Sequence, residues 1–130
     1  MGFNHKDFQY GIQKQKEILD TLKEYFNETV KEYTETFSKY DFYDDQGHLY
    51  ELKSRRIKKN QYQTTIVPCD KVLNNNLYFL FLFEDELCYI QYNKEKFNLY
   101  EKKPFQRSDY YVEKYYYYIP IDDLTTIKKQ

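Results

Sequence analysis

Between Lys14 and Phe37, apolar side chains recur at Leu19, Leu22, Phe26, Val30, Tyr33 and Phe37, with charged residues in the gaps. A spacing near 3.6 residues predicts an amphipathic helix over that stretch. From Tyr40 the period shortens to two. Tyr40–Asp44 and His48–Lys53 flank Asp45-Gln46-Gly47, which predicts a hairpin. A three-residue loop with glycine in the left-handed position makes a type I turn followed by a bulge. That turn sets a register: Asp44 opposite His48, Tyr43 opposite Leu49, Phe42 opposite Tyr50, Asp41 opposite Glu51. Side chains alternate along a strand, so Asp41, Tyr43, Leu49, Glu51 and Lys53 are expected on one face. Phe42, Asp44, His48, Tyr50 and Leu52 then take the other. A slip of one residue would part Asp41 from Glu51.

Further along, "LYFLFLFE" and "ELCYIQY" are apolar runs meeting at Glu84–Glu86. They predict a second hairpin at the buried centre of a sheet. Residues Ser54–Gln63 are polar and basic without a period. Short helices are expected after Pro68 and from Lys94 to Tyr100. "KYYYYIPI" reads as a strand, Glu101-Lys102-Lys103 before Pro104 as a solvated loop, and "DDLTTIKK" as a capped final helical turn or two. The sum is an α/β class: a sandwich with a mixed central sheet, an N-terminal amphipathic helix and short flanking helices. At 130 residues a single domain over 1–130 is expected.

Composition narrows the chemistry. Seventeen Tyr and ten Phe, with no Ala or Trp, are read as core and strand residues rather than base-stacking surfaces. The net charge of −1 gives no whole-chain attraction to nucleic acid, so any such role must come from local clustering. Two cysteines are too few for a disulfide framework, which points to a reducing, intracellular setting. Cys69 and Cys88 are read as buried hydrophobes. No apolar run approaches membrane-spanning length, and no membrane partner is expected. His5 and His48 make no metal pair.

The hairpin carries the chemistry. Two carboxylates directly opposite each other repel; a divalent cation between them removes that repulsion, and hard oxygen ligands suit Mg²⁺ or Mn²⁺. Lys53 projects to the same side, where it can hold a water or face a phosphate. Arg55, Arg56, Lys58 and Lys59 follow as a run suited to a phosphate backbone. Tyr62 is a candidate for stacking on a base. Thr64, Thr65 and Lys71 are candidates to line the path, and Arg107 is an isolated cation that can reach a phosphate or pair with Asp109.

Asp41, nine intervening residues, then Glu51-Leu52-Lys53 on a strand-turn-strand with a helix before it resembles the PD-(D/E)XK nuclease superfamily, the restriction-endonuclease-like fold. The resemblance implies a core of helix, three-stranded hairpin sheet, helix and strand. It implies Asp41 and Glu51 as metal ligands and Lys53 as the residue that positions the attacking water. It also implies an acid from the first helix, with Glu28 and Glu32 both open. No Pro precedes Asp41; of the alternative aspartates, Asp44 faces the wrong side in this register and Asp45 lies in the turn. The segments "YELKSRR" and "YQTTIVPCDKV" also look like uncharacterised members from large DNA viruses. The expected function is a Mg²⁺- or Mn²⁺-dependent nuclease hydrolysing phosphodiester bonds in DNA, with a homodimer or protein partner supplying specificity. The alternatives are a catalytically inactive nuclease-like fold serving as a binding or structural module in a virion or replication complex, and a plain nucleic-acid-binding domain.

Overall fold

The computed structural model describes residues 5–34, 40–71, 75–105 and 114–130, the side chains of 5–12 and Lys71 excepted. Its long helix, α1, spans His5–Tyr25. Nine strands follow: β1 (Lys31–Glu32), β2 (Phe42–Tyr43), β3 (Leu49–Ser54), β4 (Thr64–Pro68), β5 (Leu77–Leu82), β6 (Glu86–Gln91), β7 (Glu101–Pro104), β8 (Tyr115–Pro120) and β9 (Thr125–Lys129). A one-turn helix, α2 (Lys94–Phe97), precedes β7, and single 3₁₀ turns lie at Lys59–Gln61, Cys69–Lys71 and Ile121–Asp123.

Helix α1 ends twelve residues before the apolar period does. Asn27 stops it: its Oδ1 accepts from Thr29 N at 3.0 Å and also from the Thr29 hydroxyl. Such local side-chain bonds compete with the helical ladder. The apolar stripe nevertheless keeps its purpose. Ile18, Leu22 and Val30 are all buried, in one cluster with Phe42, Tyr50 and Leu80. Each such side chain stabilises the fold by about 1.5–3 kcal/mol relative to exposure.

Two sheets form, one of six strands in the order β1-β2-β3-β5-β6-β9 and one of three in the order β4-β8-β7. The larger sheet is mixed: β3 and β5 run parallel, and the remaining neighbours are antiparallel. A parallel neighbour requires a crossover, and the chain makes it through β4 in the smaller sheet. The larger sheet has α1 on one face and the smaller sheet on the other, giving two cores. The second core joins Phe79, Phe81 and Cys88 of the larger sheet to Val67, Tyr117 and Ile119 of the smaller. The architecture is an α/β sandwich.

The first hairpin has the expected register, Phe42 opposite Tyr50 and Tyr43 opposite Leu49. Gly47 adopts φ +85°, and Asp44 N donates to His48 O at 3.1 Å. The second hairpin, β5–β6, is also as expected. Two expectations fail. "DDLTTIKK" forms one 3₁₀ turn and then strand β9, which pairs with β6; β-branched Thr125, Thr126 and Ile127 suit a strand better than a helix. Glu101–Pro104 is not a loop but the edge strand β7, exposed throughout. An edge needs no alternating burial, and its lysines and Pro104 are residues that edges tolerate.

Candidate functional site

The sequence places Asp41, Glu51 and Lys53 on one hairpin; in the structure Asp41 bonds the β3 backbone at Leu52, and Glu51 and Lys53 pair with each other. Asp41 lies just before β2. Its N–H donates to Tyr50 O at 2.9 Å, and its Oδ2 accepts from Leu52 N at 2.7 Å. Leu52 is the residue between Glu51 and Lys53. Tyr40 packs with the core between the sheets, whereas Phe42 packs with the helix core. In a regular strand residues two apart share a face, so the chain kinks at Asp41. The Asp41 carboxylate therefore turns in toward the β3 backbone, rather than standing directly across from Glu51 as regular alternation predicts.

Glu51 and Lys53 sit beside Phe79 and Phe81 of β5 in the parallel register. That is the face covered by the smaller sheet. Glu51 is only 2 % exposed, and its Oε1 meets Lys53 Nζ at 3.1 Å. The other oxygen, Oε2, is buried. The lysine is held less tightly, with its side chain 19 % exposed. Burying a carboxylate beside phenylalanines is unfavourable without a counter-charge, and Lys53 supplies one.

Among the described residues no group of three or more His, Cys, Asp or Glu is placed to hold a metal ion. A closed cage for zinc or calcium is therefore not formed by described side chains. Mg²⁺ asks for less: one or two carboxylates, with water and substrate oxygens completing its shell. Asp41 and Glu51 are the two carboxylates the hairpin offers, with Asp41 Oδ2 already accepting from Leu52 N and Glu51 Oε1 facing Lys53. The two acids proposed from the first helix both fall beyond its end. Glu28 is exposed in the following turn. Glu32 lies on β1 opposite Phe42, one step from Asp41, and accepts from Gln15 Nε2 at 2.6 Å.

The basic run divides. Arg55 Nη2 donates to Ile66 O at 2.8 Å, its Nε to Thr65 Oγ1 at 3.4 Å, and its guanidinium lies over the Phe81 ring. It ties β3 to β4 across the two sheets, and burial pushes its pKa down. Thr65 is likewise buried. Lys59 turns toward the β5–β6 hairpin, where its N–H donates to Asp85 Oδ1 at 2.9 Å and its ammonium stands 3.9 Å from Glu86. Arg56, Lys58 and Tyr62 are exposed. Arg55 continues the strand parity of Glu51 and Lys53, which is why it faces inward with them. Arg107 and Asp109 lie outside the described residues, as does the Lys71 side chain.

Asp44, on the opposite face in the predicted register, proves to be the most heavily bonded acid of the hairpin. Asp44 was given no role beyond the turn, yet its side chain is fully buried and five donors converge on it. Gln46 N and His48 N reach Oδ1 at 2.9 and 3.0 Å. Asn27 Nδ2, His48 Nδ1 and the Tyr50 hydroxyl reach Oδ2 at 2.9, 2.9 and 2.8 Å. Burial alone would raise its pKa, but the hydrogen bonds from Asn27, the His48 backbone, Tyr50 and the His48 ring outweigh that and hold it well below the usual carboxylate range. In return, burial and the Asp44 carboxylate push the Tyr50 hydroxyl pKa far up. The Asp-x-Gly-His spacing signalled the turn but not Asn27, which arrives from seventeen residues upstream.

No family model, no curated protein and no solved structure matches the chain. Among the described residues no helix is long and apolar enough to cross a membrane.

Proposed function

We propose that this chain is a metal-dependent deoxyribonuclease of restriction-endonuclease-like fold, hydrolysing phosphodiester bonds at Asp41, Glu51 and Lys53. The observation that carries this reading is that Asp41 bonds the Leu52 amide, between Glu51 and Lys53, whose side chains pair at 3.1 Å on the third strand of an antiparallel meander that follows a helix. The meander and the parallel strand β5 match the element order of the PD-(D/E)XK resemblance. The intervening helix does not, since β4 and 3₁₀ turns stand in its place. Asp41 and Glu51 would hold Mg²⁺ or Mn²⁺. When bound, the cation supplies a Lewis acid and a water acidic enough to attack near neutral pH. Lys53, whose ammonium lies 3.1 Å from Glu51 Oε1, would orient the attacking water or neutralise charge building on the phosphate. Arg56 and Lys58 would contact the DNA backbone and Tyr62 would stack on a base, all three being exposed; Arg55 and Lys59 hold the scaffold behind them. An intracellular, reducing setting, a virus-encoded origin, and a homodimer or protein partner that supplies specificity belong to the same reading. Cys69 and Cys88, both free thiols, suit that setting.

Supercoiled, linear and branched DNA incubated with Mg²⁺ or Mn²⁺ tests it. Cleavage that EDTA stops, and that Glu51→Ala and Lys53→Ala both lose, is the expected result. Cleavage that survives in both variants overturns the site assignment.

A second reading is a catalytically silent nuclease-like fold used as a binding or assembly module. What favours it is the burial of Glu51 beneath the smaller sheet, together with the inward engagement of Arg55 and Lys59. Folded wild-type protein that leaves all three DNA substrates intact supports this second reading.

A further inference from the structure

On the other face of the larger sheet a cleft of about 640 Å³ opens beside α1. Its volume lies in the range of small-molecule sites, about 300–1,000 Å³. We propose that it binds a free α-amino acid with an apolar side chain, the carboxylate on Arg56 and the ammonium on Glu84. The cleft is lined by Ser54, Arg56, Leu82 and Glu84, so it lies where β3 and β5 both end, with Ser54 beside Leu82 in the register. These strands are a parallel pair, and the crevice beyond the carboxyl ends of parallel strands is where α/β sheets receive ligands.

Most polar groups around the cleft are already engaged. Lys14 Nζ stands 3.6 Å from Glu17 Oε2 and 3.4 Å from Gln130 Oε1. Gln15 donates to Glu32 Oε1 at 2.6 Å. Gln130 donates from its side chain to Phe83 O at 3.0 Å and from its backbone to Asp85 O at 2.9 Å. The Arg55 guanidinium is bonded to Ile66 O on the β4 side. Arg56 and Glu84 remain, one cation and one anion, both exposed at the rim. Among the described residues neither side chain makes a hydrogen bond or an ion pair, even with the other. Yet they stand on adjoining chains. Arg55 N donates to Leu82 O at 2.8 Å and Glu84 N to Ile57 O at 2.9 Å. Those two bonds flank Arg56 and Glu84 and hold their backbones near strand spacing, about 4.7–4.9 Å.

Opposite charges that neighbour each other without pairing suit a ligand that carries both signs close together. A lone anion on Arg56 would meet the Glu84 carboxylate as a like charge, and a lone cation on Glu84 would meet the guanidinium. An α-amino acid avoids both conflicts. Its carboxylate takes the guanidinium in a two-bond fork, and its ammonium, one carbon away, faces Glu84. The walls select the rest of the molecule. Ile18, Leu52 and Leu82 form an apolar floor; Ile18 is buried, and the two leucines are half-buried against the helix core. An apolar side chain would remove their remaining surface from water. Leu52 and Ser54 alternate with Glu51 and Lys53 along β3, so this cleft and the proposed catalytic residues occupy opposite faces of one strand. The amino-acid site does not rest on the nuclease reading.

Isothermal titration and amide chemical-shift mapping with L-leucine and L-phenylalanine test it, without metal or DNA because Arg56 is also a proposed DNA contact. Three controls each lack one element: isocaproate the ammonium, isoamylamine the carboxylate, glycine the apolar side chain. The expected result is saturable binding of at least one of the two amino acids, with shifts at the Leu52, Ser54, Arg56 and Glu84 amides and all three controls far weaker. Arg56→Gln and Glu84→Gln should each weaken binding about tenfold or more, since each removes one charge-assisted contact. Both positions are exposed, so melting temperatures should stay near wild type. Saturable binding of neither amino acid up to millimolar concentration, or shifts that map to another face, would overturn the proposal. So would a single-charge control that binds as tightly as the amino acid, or wild-type affinity in both variants.

Discussion

Asp44 and Glu51 are both buried acids on one hairpin, yet they are held in opposite ways. Asp44 faces α1 and receives five hydrogen bonds from Asn27, Gln46, His48 and Tyr50. Three of those donors are side chains locked by packing, and two are backbone amides fixed by the turn. Glu51 faces the smaller sheet, beside phenylalanines, with the ammonium of a flexible lysine at 3.1 Å. A carboxylate enclosed by rigid donors is part of the frame, since moving it would strand several buried groups at once. A carboxylate facing a flexible ammonium can exchange that partner for a metal ion. The difference makes Asp44 part of the frame and leaves Glu51 as the acid on which the proposed chemistry rests.

Substitutions can break that division. Asp44→Ala should have the largest effect on folding, about 3–5 kcal/mol in urea denaturation, because His48, Tyr50 and Asn27 lose one shared partner. A loss below about 1 kcal/mol, the range of a surface pair, would erase the contrast. Tyr50→Phe removes one hydrogen bond to a charged group and should reduce stability by about 1.5–3 kcal/mol. Acid should act through the same network. The folded pKa of Asp44 lies below its unfolded value of about 3.9. Its stabilisation is therefore complete above that value and is lost as pH falls through the folded pKa. Melting temperatures should drop below about pH 4 in the wild type, and Asp44→Asn should flatten that part of the profile. Gly47→Ala should lose about 1–2 kcal/mol, as a strained φ of +85° rather than a clash, for a Cβ there meets nothing within 4 Å. Glu51→Gln removes one partner of a buried pair but also the buried carboxylate's own desolvation cost, and Lys53 keeps some exposure, so it should destabilise less than Asp44→Ala.

The sequence made the hairpin legible because its turn has one low-strain solution. Gly47 takes the left-handed position, and the pairings Tyr43–Leu49 and Phe42–Tyr50 follow from it. The apolar runs at Leu77 and Leu87 were equally plain. The end of α1 was not, because the period continues through Val30 while Asn27 breaks the backbone locally. Strands β1 and β7 are edges whose exposure hides the period-two signal, and β9 was obscured by acids that resemble a helix cap. For the site, parity placed Glu51 and Lys53 on one face, but it could not reveal the kink that turns Asp41 to the Leu52 amide. Nor could it reveal that β4 would arrive to claim Arg55. Both depend on contacts between segments that no local pattern encodes.

The central claim is best tested by a crossed measurement of cleavage and melting temperature on Glu51→Gln and Tyr50→Phe with Mn²⁺. The account predicts that Glu51→Gln is folded at the assay temperature and loses cleavage, whereas Tyr50→Phe melts several degrees earlier than wild type and, below that temperature, still cleaves. Wild-type cleavage by Glu51→Gln, or cleavage lost in Tyr50→Phe while its melting temperature holds, would contradict it.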